Sequence, residues 1–293
     1  MILSPNSVVA ITGASSGIGR ALALELAPTG AWLALLARRT DRLAEVAAEV
    51  TERGGRPLVL CCNVAVRAEV HTAFHHILRT AGPVDVLVNN AGSGHCAYVE
   101  DTPDEQIEEV MGVNVNALWY TATEVLPGMR RRGAGVILTV SSLAGVVGYP
   151  ANAVYVAAKH AALGFTRALR AELYGSGVEA CVVLPAGTLT DWSLSTAGGP
   201  IVDLFNAEAE RGIALARERG IEPPPLLPLL EPQDVARIIA ATIRTPQPEV
   251  YTHPGSEELV RLYNESRQEF ERRMGPWWQA NREAYRNREA REK

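Results

Sequence analysis

The chain has 293 residues, of which 47% are hydrophobic and 21% are charged, as in one large globular domain that is soluble in water. Its formal net charge of −5 gives no general basis for binding nucleic acid, because a phosphate backbone attracts a basic surface. The four cysteines are too few and too scattered for a disulfide framework or a four-thiolate zinc site. We expect the neighbours Cys61 and Cys62 to be two small buried hydrophobic residues.

The sequence also argues against export and against a membrane span. The residues before Val9 contain no basic segment of the kind that begins a signal peptide. Residues 133–158 carry no charge and are numerous enough to cross a bilayer. Serine, glycine, proline and asparagine residues typical of turns interrupt that run, however. They indicate a strand, a loop and the start of a helix. We expect a cytoplasmic protein.

Apolar runs alternate with helical patterns from Ser7 to Leu184. The predicted strands are Ser7–Thr12, Trp32–Ala37, Pro57–Cys62, Val84–Asn89, Gly135–Val140 and Glu179–Leu184. The predicted helices are Gly17–Leu26, Thr40–Thr51, Val66–Thr80, Pro103–Arg132 and Ala151–Tyr174. Strands without polar alternation, each separated by a helix, indicate a parallel sheet that is covered on both faces. We therefore predict an α/β fold with a doubly wound parallel sheet, in a single domain.

The pattern loosens after Pro185. Residues 187–230 contain proline- and glycine-rich stretches around a helical piece at Phe205–Arg219, and we predict a substrate loop, because open α/β sheets bind ligands beyond the carboxyl ends of their strands. A helix from Pro232 and a last edge strand near Glu249–Thr252 complete a catalytic domain of residues 1–255. Residues 256–293 form a predicted amphipathic helical extension, interrupted at Gly275-Pro276 and docked on the body or on a second subunit.

A glycine-rich turn joins the first predicted strand to the first helix. Its sequence is Thr12-Gly13-Ala14-Ser15-Ser16-Gly17-Ile18-Gly19. Because glycines lack β-carbons, the backbone can turn tightly and a pyrophosphate can approach the positive end of the helix. The motif therefore predicts a nucleotide site built by Gly13, Ser15, Ser16, Gly17, Ile18 and Gly19.

The spacing TGxxxGxG resembles that of the short-chain dehydrogenase/reductase family. Asn89-Asn90-Ala91-Gly92 ends the fourth strand like the family's NNAG element, and Tyr155-Val156-Ala157-Ala158-Lys159 matches its YxxxK signature. Ser142 follows the fifth strand, thirteen residues before Tyr155, and Asn114 stands where the family has its catalytic asparagine. Because four motifs occur in order at matching spacing, the chain is identified as a member of the common short form over Val8 to Tyr251.

The resemblance implies a Rossmann fold, a nicotinamide cofactor and a set of site residues. The implied catalytic residues are Asn114, Ser142, Tyr155 and Lys159, and the implied cofactor contacts beyond the glycine turn are Asn63, Val64, Asn90, Ala91, Gly92, Tyr155, Lys159, Pro185, Gly187 and Thr190. Three positions depart from the family pattern: Asn63 replaces the usual Asp, Ala117 replaces the more usual glycine, and Ala186 separates Pro185 from Gly187. The resemblance also implies a homodimer or homotetramer paired through the two long helices.

The chemistry of Tyr155 and Lys159 also follows from their residue types. They are four residues apart on a predicted helix, so their side chains share one face. A neighbouring ammonium favours a phenolate, and we expect it to lower the tyrosine pKa from its usual value near 10 towards working pH. Such a phenol can donate a proton to a forming alkoxide or accept one from an alcohol, and Ser142 can hydrogen-bond the same oxygen. No metal is expected, and His95 and His160 are interpreted as ordinary structural residues.

The end of the second strand predicts the choice of cofactor. An acidic residue there binds the adenosine ribose and repels a 2′-phosphate, whereas an arginine accommodates the phosphate. This chain has Ala37 at the acidic position, followed by Arg38 and Arg39. We predict NADP rather than NAD, with Arg38 as the phosphate ligand, since strand alternation should turn Arg39 away.

These observations together predict an NADP-dependent oxidoreductase that interconverts a ketone and a secondary alcohol. Reduction of a C=N or C=C bond on the same scaffold is the alternative, and a non-catalytic nucleotide sensor should lack one of Ser142, Tyr155 and Lys159. Trp192, Leu194, Phe205 and Tyr149 favour an apolar small-molecule substrate, with no nucleic acid or membrane partner.

Overall fold

The computed structural model describes residues 1–192, 196–197 and 201–292, and of residues 201–207 and 288–292 it describes the backbone. The strands are β1 Val8–Thr12, β2 Trp32–Ala37, β3 Arg56–Cys61, β4 Val86–Asn89, β5 Gly135–Val140, β6 Val178–Leu184 and β7 Glu249–Tyr251. The helices are α1 Gly17–Leu26, α2 Thr40–Glu52, α3 Arg67–Thr80, α4 Asp104–Met111, α5 Ala117–Arg132, α6 Ala153–Glu172, α7 Ile201–Glu218, α8 Pro232–Arg244, α9 Ser256–Glu265 and α10 Arg267–Glu292.

The strands form one seven-stranded parallel sheet in the order β3-β2-β1-β4-β5-β6-β7. The order reverses direction between β1 and β4, which creates a crevice at their carboxyl ends. Both faces of the sheet are covered, as β1 shows: Val9 and Ile11 pack against α1, α2 and α8, whereas Val8 and Ala10 pack against α3, α5 and α6. The predicted doubly wound α/β fold is confirmed, including the short edge strand β7.

The expectation for the cysteine pair is half wrong. Cys62 is buried, but Cys61 is exposed. The reason is the position of β3, which is the outermost strand of the sheet, so that alternate side chains near its end have no layer over them. In the part of the chain that the structure describes, no cluster of three His, Cys, Asp or Glu side chains has the arrangement of a metal site. No helix within those same residues has the length and apolar character needed to cross a membrane.

The C-terminal extension packs on the body of the same chain. Leu259, Val260, Phe270 and Met274 form one buried cluster with Leu143 and Val147, which lie in the loop after β5. Its helical nature is confirmed, but the break at Gly275-Pro276 is wrong. The extension breaks at Ser266, whose backbone is extended and whose hydroxyl accepts a hydrogen bond from the N–H of Glu269.

Helix α10 continues through Pro276 because its packing outweighs one missing backbone hydrogen bond. A β-carbon placed on Gly212 of α7 would lie 2.7 Å from the Cα of Trp277, so the two helix backbones touch directly after the proline. Tertiary contact of this kind regularly overrides local propensity.

Candidate active site

The glycine turn lies between β1 and α1, at the crevice. Gly13 and Gly17 have φ angles of +67° and +52°, in the left-handed region that favours glycine. A β-carbon on Gly19 would lie 2.5 Å from both the Nδ2 of Asn90 and the carbonyl oxygen of Gly13, so only glycine fits there. Ser15 is buried, while Ser16 and Ile18 are half-buried at the start of α1. The amino end of α1 is thus left accessible to an anion.

The NNAG segment is tied to the end of β1. The backbone N–H groups of Asn90 and Ala91 both donate to the hydroxyl of Thr12 at 3.0 Å, and the Asn90 side chain donates to the Thr12 carbonyl at 2.9 Å. These bonds bridge the two strands at which the sheet order reverses. Gly92 follows directly, and a β-carbon there would lie 3.1 Å from the Oδ1 of Asn114 and 3.5 Å from the Nζ of Lys159. The segment therefore leads into the catalytic group.

Ser142, Tyr155 and Lys159 meet at the carboxyl end of β5. The Ser142 hydroxyl donates to the carbonyl of Pro185 at 3.3 Å and accepts from the N–H of Ala144 at 3.1 Å. The Tyr155 hydroxyl makes a hydrogen bond with the Ser142 side chain. The buried Nζ of Lys159 lies 5.5 Å from the centre of the Tyr155 ring. The structure thus brings together the three residues that the sequence motifs singled out.

Burial sets the proton affinities of this group in a direction that the sequence analysis did not anticipate. Desolvation raises the pKa of Tyr155 to about 12, although the hydrogen bond with Ser142 lowers it somewhat. Desolvation also lowers the pKa of Lys159 to about 8. The expected lowering of the tyrosine pKa is therefore wrong. Burial removes water from the charged form of each group, which raises the pKa of a phenol and lowers that of an ammonium. Tyr155 holds its proton and is suited to donate it.

Asn114 lies in a π-helical turn, Gly112–Asn116, between α4 and α5. Its Nδ2 donates to the carbonyls of Val110 and Ser93, both at 2.8 Å. The Asn114 side chain thus hydrogen-bonds the Val110 carbonyl, to which the backbone N–H of Asn114 would donate in a regular α-helix. The buried Oδ1 has no hydrogen-bond partner within the described residues, and it shares its surroundings at Gly92 with the Nζ of Lys159. Turns of this kind are frequent at functional sites.

The segment after β6 closes the far side of the crevice. Pro185 accepts the hydrogen bond from Ser142, and a β-carbon on Gly17 would lie 3.1 Å from the Cγ2 of Thr190. Thr190 therefore reaches across to the glycine turn. His253, two residues beyond β7, holds the intervening backbone. Its Nδ1 accepts from the N–H of Ala186 at 3.1 Å and lies 2.7 Å from the Thr252 hydroxyl, and its Nε2 donates to the carbonyl of Gly187 at 2.8 Å.

The adenine end of the predicted site lies at the carboxyl ends of β2 and β3. Asn63 is half-buried and Val64 is buried. The Oδ1 of Asn63 accepts from the N–H of Ala65 at 3.1 Å, which leaves one lone pair for a further donor. Arg38 is exposed, with its Nη1 3.8 Å from the Oε1 of Glu109, and a pair exposed to this extent restrains the side chain little.

Arg39 does not turn away from the site, so that expectation is wrong. Its Nη2 donates to the hydroxyls of Ser16 at 2.7 Å and Ser15 at 3.1 Å. Arg39 comes directly before α2 and has an extended backbone, so the alternation of β2 no longer decides where its side chain points. The structure therefore places a guanidinium over the glycine turn that sequence reasoning had assigned elsewhere.

Comparison with known proteins agrees with this geometry. A family model described as short chain dehydrogenase matches residues 7–197. The chain is 34% identical over 217 residues to a 3beta-hydroxysteroid dehydrogenase of Mediterraneibacter gnavus, covering 74% of this chain and 75% of that one. The chain belongs to the short-chain dehydrogenase/reductase family.

Two solved members of the family are similar to this dehydrogenase/reductase over most of its length. A short-chain dehydrogenase/reductase of Burkholderia phymatum in complex with NAD superposes with a TM-score of 0.76, at 25% identity, over 91% of this chain and 95% of that chain. A short-chain dehydrogenase of Sphingobium yanoikuyae in complex with NADPH gives 0.71, at 26% identity, over 89% and 94%. A nicotinamide cofactor is thus supported for this chain, and its neighbours include complexes with NADPH and with NAD.

Large aromatic side chains pack beside the catalytic group in this dehydrogenase/reductase. The ring of Trp192 lies 5.0 Å from that of Tyr155, and it packs so closely on Gly94 that a β-carbon there would be 2.4 Å from its Cζ2. Tyr149 packs edge-on against Trp277 of α10, with ring centres 6.1 Å apart. Of the residues predicted to make this side apolar, Leu194 and the side chain of Phe205 lie outside the described residues.

Sequence reasoning gave Arg39 the wrong direction, and it missed His253 and the inner face of α10. His253 had a usable signal, because a lone histidine directly after a parallel strand stands at the edge where ligands bind. The inner face of α10 had only an apolar stripe, which does not tell which surface it covers. His160, interpreted as a structural residue, makes a contact within its own helix, between Nδ1 and the Val156 carbonyl at 2.9 Å.

Proposed function

We propose that this chain is an NADP-dependent oxidoreductase that interconverts a ketone and a secondary alcohol. The observation that carries the proposal is the meeting of the Tyr155 and Ser142 hydroxyls beside Lys159 and Asn114. Two hydroxyls that converge on one point can both hydrogen-bond a single carbonyl oxygen, which fixes that oxygen and leaves the carbonyl carbon facing the nicotinamide side of the crevice.

The reaction balances with the groups present. The glycine turn, Asn90 and Lys159 would hold NADPH in the crevice, where it would supply the hydride, hydrogen with its electron pair, that adds to the carbonyl carbon. The electron pair of the broken π bond goes to the carbonyl oxygen, to which Tyr155 gives its proton, while Ser142 holds that oxygen in place. Lys159 stabilises the tyrosinate that remains, and Asn114 and Lys159 lie where a proton can return to Tyr155. In the reverse direction Tyr155 accepts the alcohol proton.

A cofactor-consumption screen tests the proposed function. The full chain is incubated with NADPH or NADH and a set of apolar ketones, and the products are identified by mass. We expect loss of reduced cofactor matched one to one by a secondary alcohol. Consumption only with imines or with conjugated alkenes would instead support C=N or C=C reduction, and would overturn the ketone assignment.

We propose that Arg38 and Arg39 together select NADP. No carboxylate stands at Ala37 to repel a 2′-phosphate, and the Arg39 guanidinium already lies on the hydroxyls of Ser15 and Ser16. Arg38 is exposed beside it and carries a planar fork suited to phosphate. A charged hydrogen bond contributes about 1.5–3 kcal/mol, which corresponds to a preference of roughly ten- to a hundredfold.

The measurement is the ratio of kcat/KM for NADPH over NADH. We expect the parent to favour NADPH, and Arg38→Ala to lose most of the preference while kcat/KM for NADH changes little. Arg39→Ala shows how much of the selection the second guanidinium carries. The matched control is Arg42→Ala, in the first turn of the helix that follows and paired with Asp191. A parent that prefers NADH, or a ratio that survives in both arginine variants, contradicts the assignment.

His253 is expected to act as a positioning residue for cofactor binding. It accepts from Ala186 and donates to Gly187, so it fixes the backbone that the family places beside the nicotinamide. Burial lowers the pKa of His253, and the neutral imidazole is the form that matches both bonds. We expect His253→Ala to raise KM for the cofactor about tenfold, from the loss of two bonds of ~0.5–1.5 kcal/mol each, with a smaller change in kcat. His253→Gln, which keeps one acceptor and one donor, should restore part of the loss; equal effects in both variants would argue against positioning.

We further propose that copies of the chain pair through α5 and α6. Trp119 on α5 is 48% exposed and packs against the half-buried Phe165 of α6 with tilted rings, whose centres are 4.6 Å apart. An exposed tryptophan between two long neighbouring helices is a surface that pairing would cover. Light scattering coupled to gel filtration measures the assembly, and a monomeric mass would contradict the proposal.

A further inference from the structure

The inner face of α10 packs on α7 and on the loops beside the catalytic group. Trp277 and Tyr285 are two turns apart on this helix. Trp277 packs on Tyr149, in the loop between Ser142 and Tyr155. Tyr285 is buried in one cluster with Cys96 and Ala151, against which Trp192 packs. The extension therefore supplies part of the wall that faces a substrate held at Tyr155.

Asn281 stands midway between these two aromatic residues, one turn from each, and so lies on the same face. Only 2% of its surface is exposed. Its Nδ2 donates to the Trp277 carbonyl at 3.0 Å, and because a carbonyl can only accept, that bond fixes which side-chain atom is the nitrogen. The remaining Oδ1 is buried and has no hydrogen-bond partner within the described residues.

A further unpaired polar atom occurs on a segment that Tyr285 contacts. Asn152 follows Ala151, is 4% exposed, and its Oδ1 is likewise unpaired within the part of the chain described. Buried polar groups in folded proteins are nearly always hydrogen-bonded. The two unpaired oxygens, of Asn281 and Asn152, indicate a place where a polar group binds.

We propose that Asn281 binds the substrate at the end remote from the reacting carbonyl, through a hydrogen bond that a substrate hydroxyl or N–H donates to its Oδ1. The substrate class is then an apolar ketone that carries such a donor at its far end, with Trp192, Tyr149 and Trp277 along its apolar middle. This inference rests on the proposed ketone chemistry, but it assigns to the extension a role in substrate choice.

Binding can be separated from turnover with the oxidised cofactor, which has no hydride to give. Titration calorimetry in the presence of NADP⁺ measures the Kd of benzylacetone and of para-hydroxybenzylacetone, which differ by one remote hydroxyl. A second pair, decalone with and without a ring hydroxyl, covers a bulkier skeleton. We expect the parent to bind the hydroxylated member of a pair about tenfold more tightly, the effect of one satisfied buried acceptor.

The decisive comparison is between Asn281→Leu and Asn287→Leu. Leucine has nearly the shape of asparagine, and Asn287 lies on the exposed side of the same helix. The preference for the hydroxylated ketone should vanish in Asn281→Leu and persist in Asn287→Leu; Asn281→Ala repeats the test if the leucine variant does not fold.

Three outcomes overturn the inference. They are no preference in the parent, a preference that survives in Asn281→Leu, and no binding of either pair. Failure of the proposed function has a different signature, namely ketones that bind with the expected preference but are not reduced by NADPH or NADH.

Discussion

Replacing Tyr155 with phenylalanine is expected to lower kcat/KM for ketone reduction at least a hundredfold while the Kd of the cofactor stays near that of the parent. Phenylalanine keeps the ring that packs beside Trp192 and removes only the hydroxyl. Loss of a general acid costs about 10²–10⁴ in rate. Ser142 still donates a hydrogen bond to the carbonyl oxygen in the variant, but the phenol that gives its proton to the forming alkoxide is gone.

The control for this variant is Tyr174→Phe, which removes the same atom from a side chain that is 95% exposed after α6. Rates are followed by cofactor absorbance, and cofactor binding is measured separately by calorimetry. Burial raises the pKa of Tyr155 to about 12. The phenol therefore keeps its proton at neutral pH, and we expect its titration to leave the rate of ketone reduction unchanged there. A Tyr155→Phe variant with near-parental turnover would contradict the assignment of the proton donor.

Sequence reasoning succeeded where local pattern and global fold agree. The alternation of apolar runs with helical periods fixed the order of elements, and the doubly wound sheet then put the ends of β1, β4, β5 and β6 along one edge. Ser142, Tyr155 and Lys159 come from a strand end and one helix face, so their meeting follows from that topology. Gly19 likewise follows from close contact of a helix with a strand end, where no β-carbon fits.

Sequence reasoning failed where contacts between distant segments determine the direction, the burial or the pKa of a side chain. Arg39 follows β2 by two residues, and its direction depends on the serines of another loop. Pro276 predicts a break, yet contact between Gly212 and Trp277 holds the helix through it. The proton affinity of Tyr155 depends on how deeply the phenol and Lys159 are buried, which residue types alone do not reveal. Asn281 looks like any polar residue in a charged tail until the docking of α10 places it inside.

Replacing Lys159 with methionine is expected to abolish catalysis and at the same time to stabilise the fold at neutral pH. Methionine keeps the length and apolar stem of the side chain but removes the ammonium that supports Tyr155. We therefore expect at least a hundredfold loss in kcat/KM, of the size of a general acid–base contribution, together with a raised KM for the cofactor. The same dependence on charge predicts that reduction by the parent falls as the pH rises through about 8, where Lys159 loses its proton.

The gain in stability follows from the lowered pKa of Lys159. In the unfolded chain the ammonium has its ordinary pKa of 10.5, whereas burial lowers it to about 8 in the folded chain. The unfolded state therefore binds more protons between these values, so the buried ammonium destabilises the fold below pH 8 and this cost disappears as the pH rises towards 10.5. The difference amounts to roughly 3 kcal/mol, and loss of the bond from Nζ to the Val140 carbonyl offsets ~1 kcal/mol of it.

Urea unfolding of parent and Lys159→Met at several pH values measures this balance. At pH 7 the variant should be more stable by about 2 kcal/mol, and the advantage should shrink and then reverse as the parent's lysine becomes neutral in both states. The difference between the two proteins isolates Lys159, because every other titrating group is common to both. A variant that is less stable than the parent at pH 7 would mean that the ammonium is held by more than the Val140 carbonyl, and the lowered pKa would then be wrong.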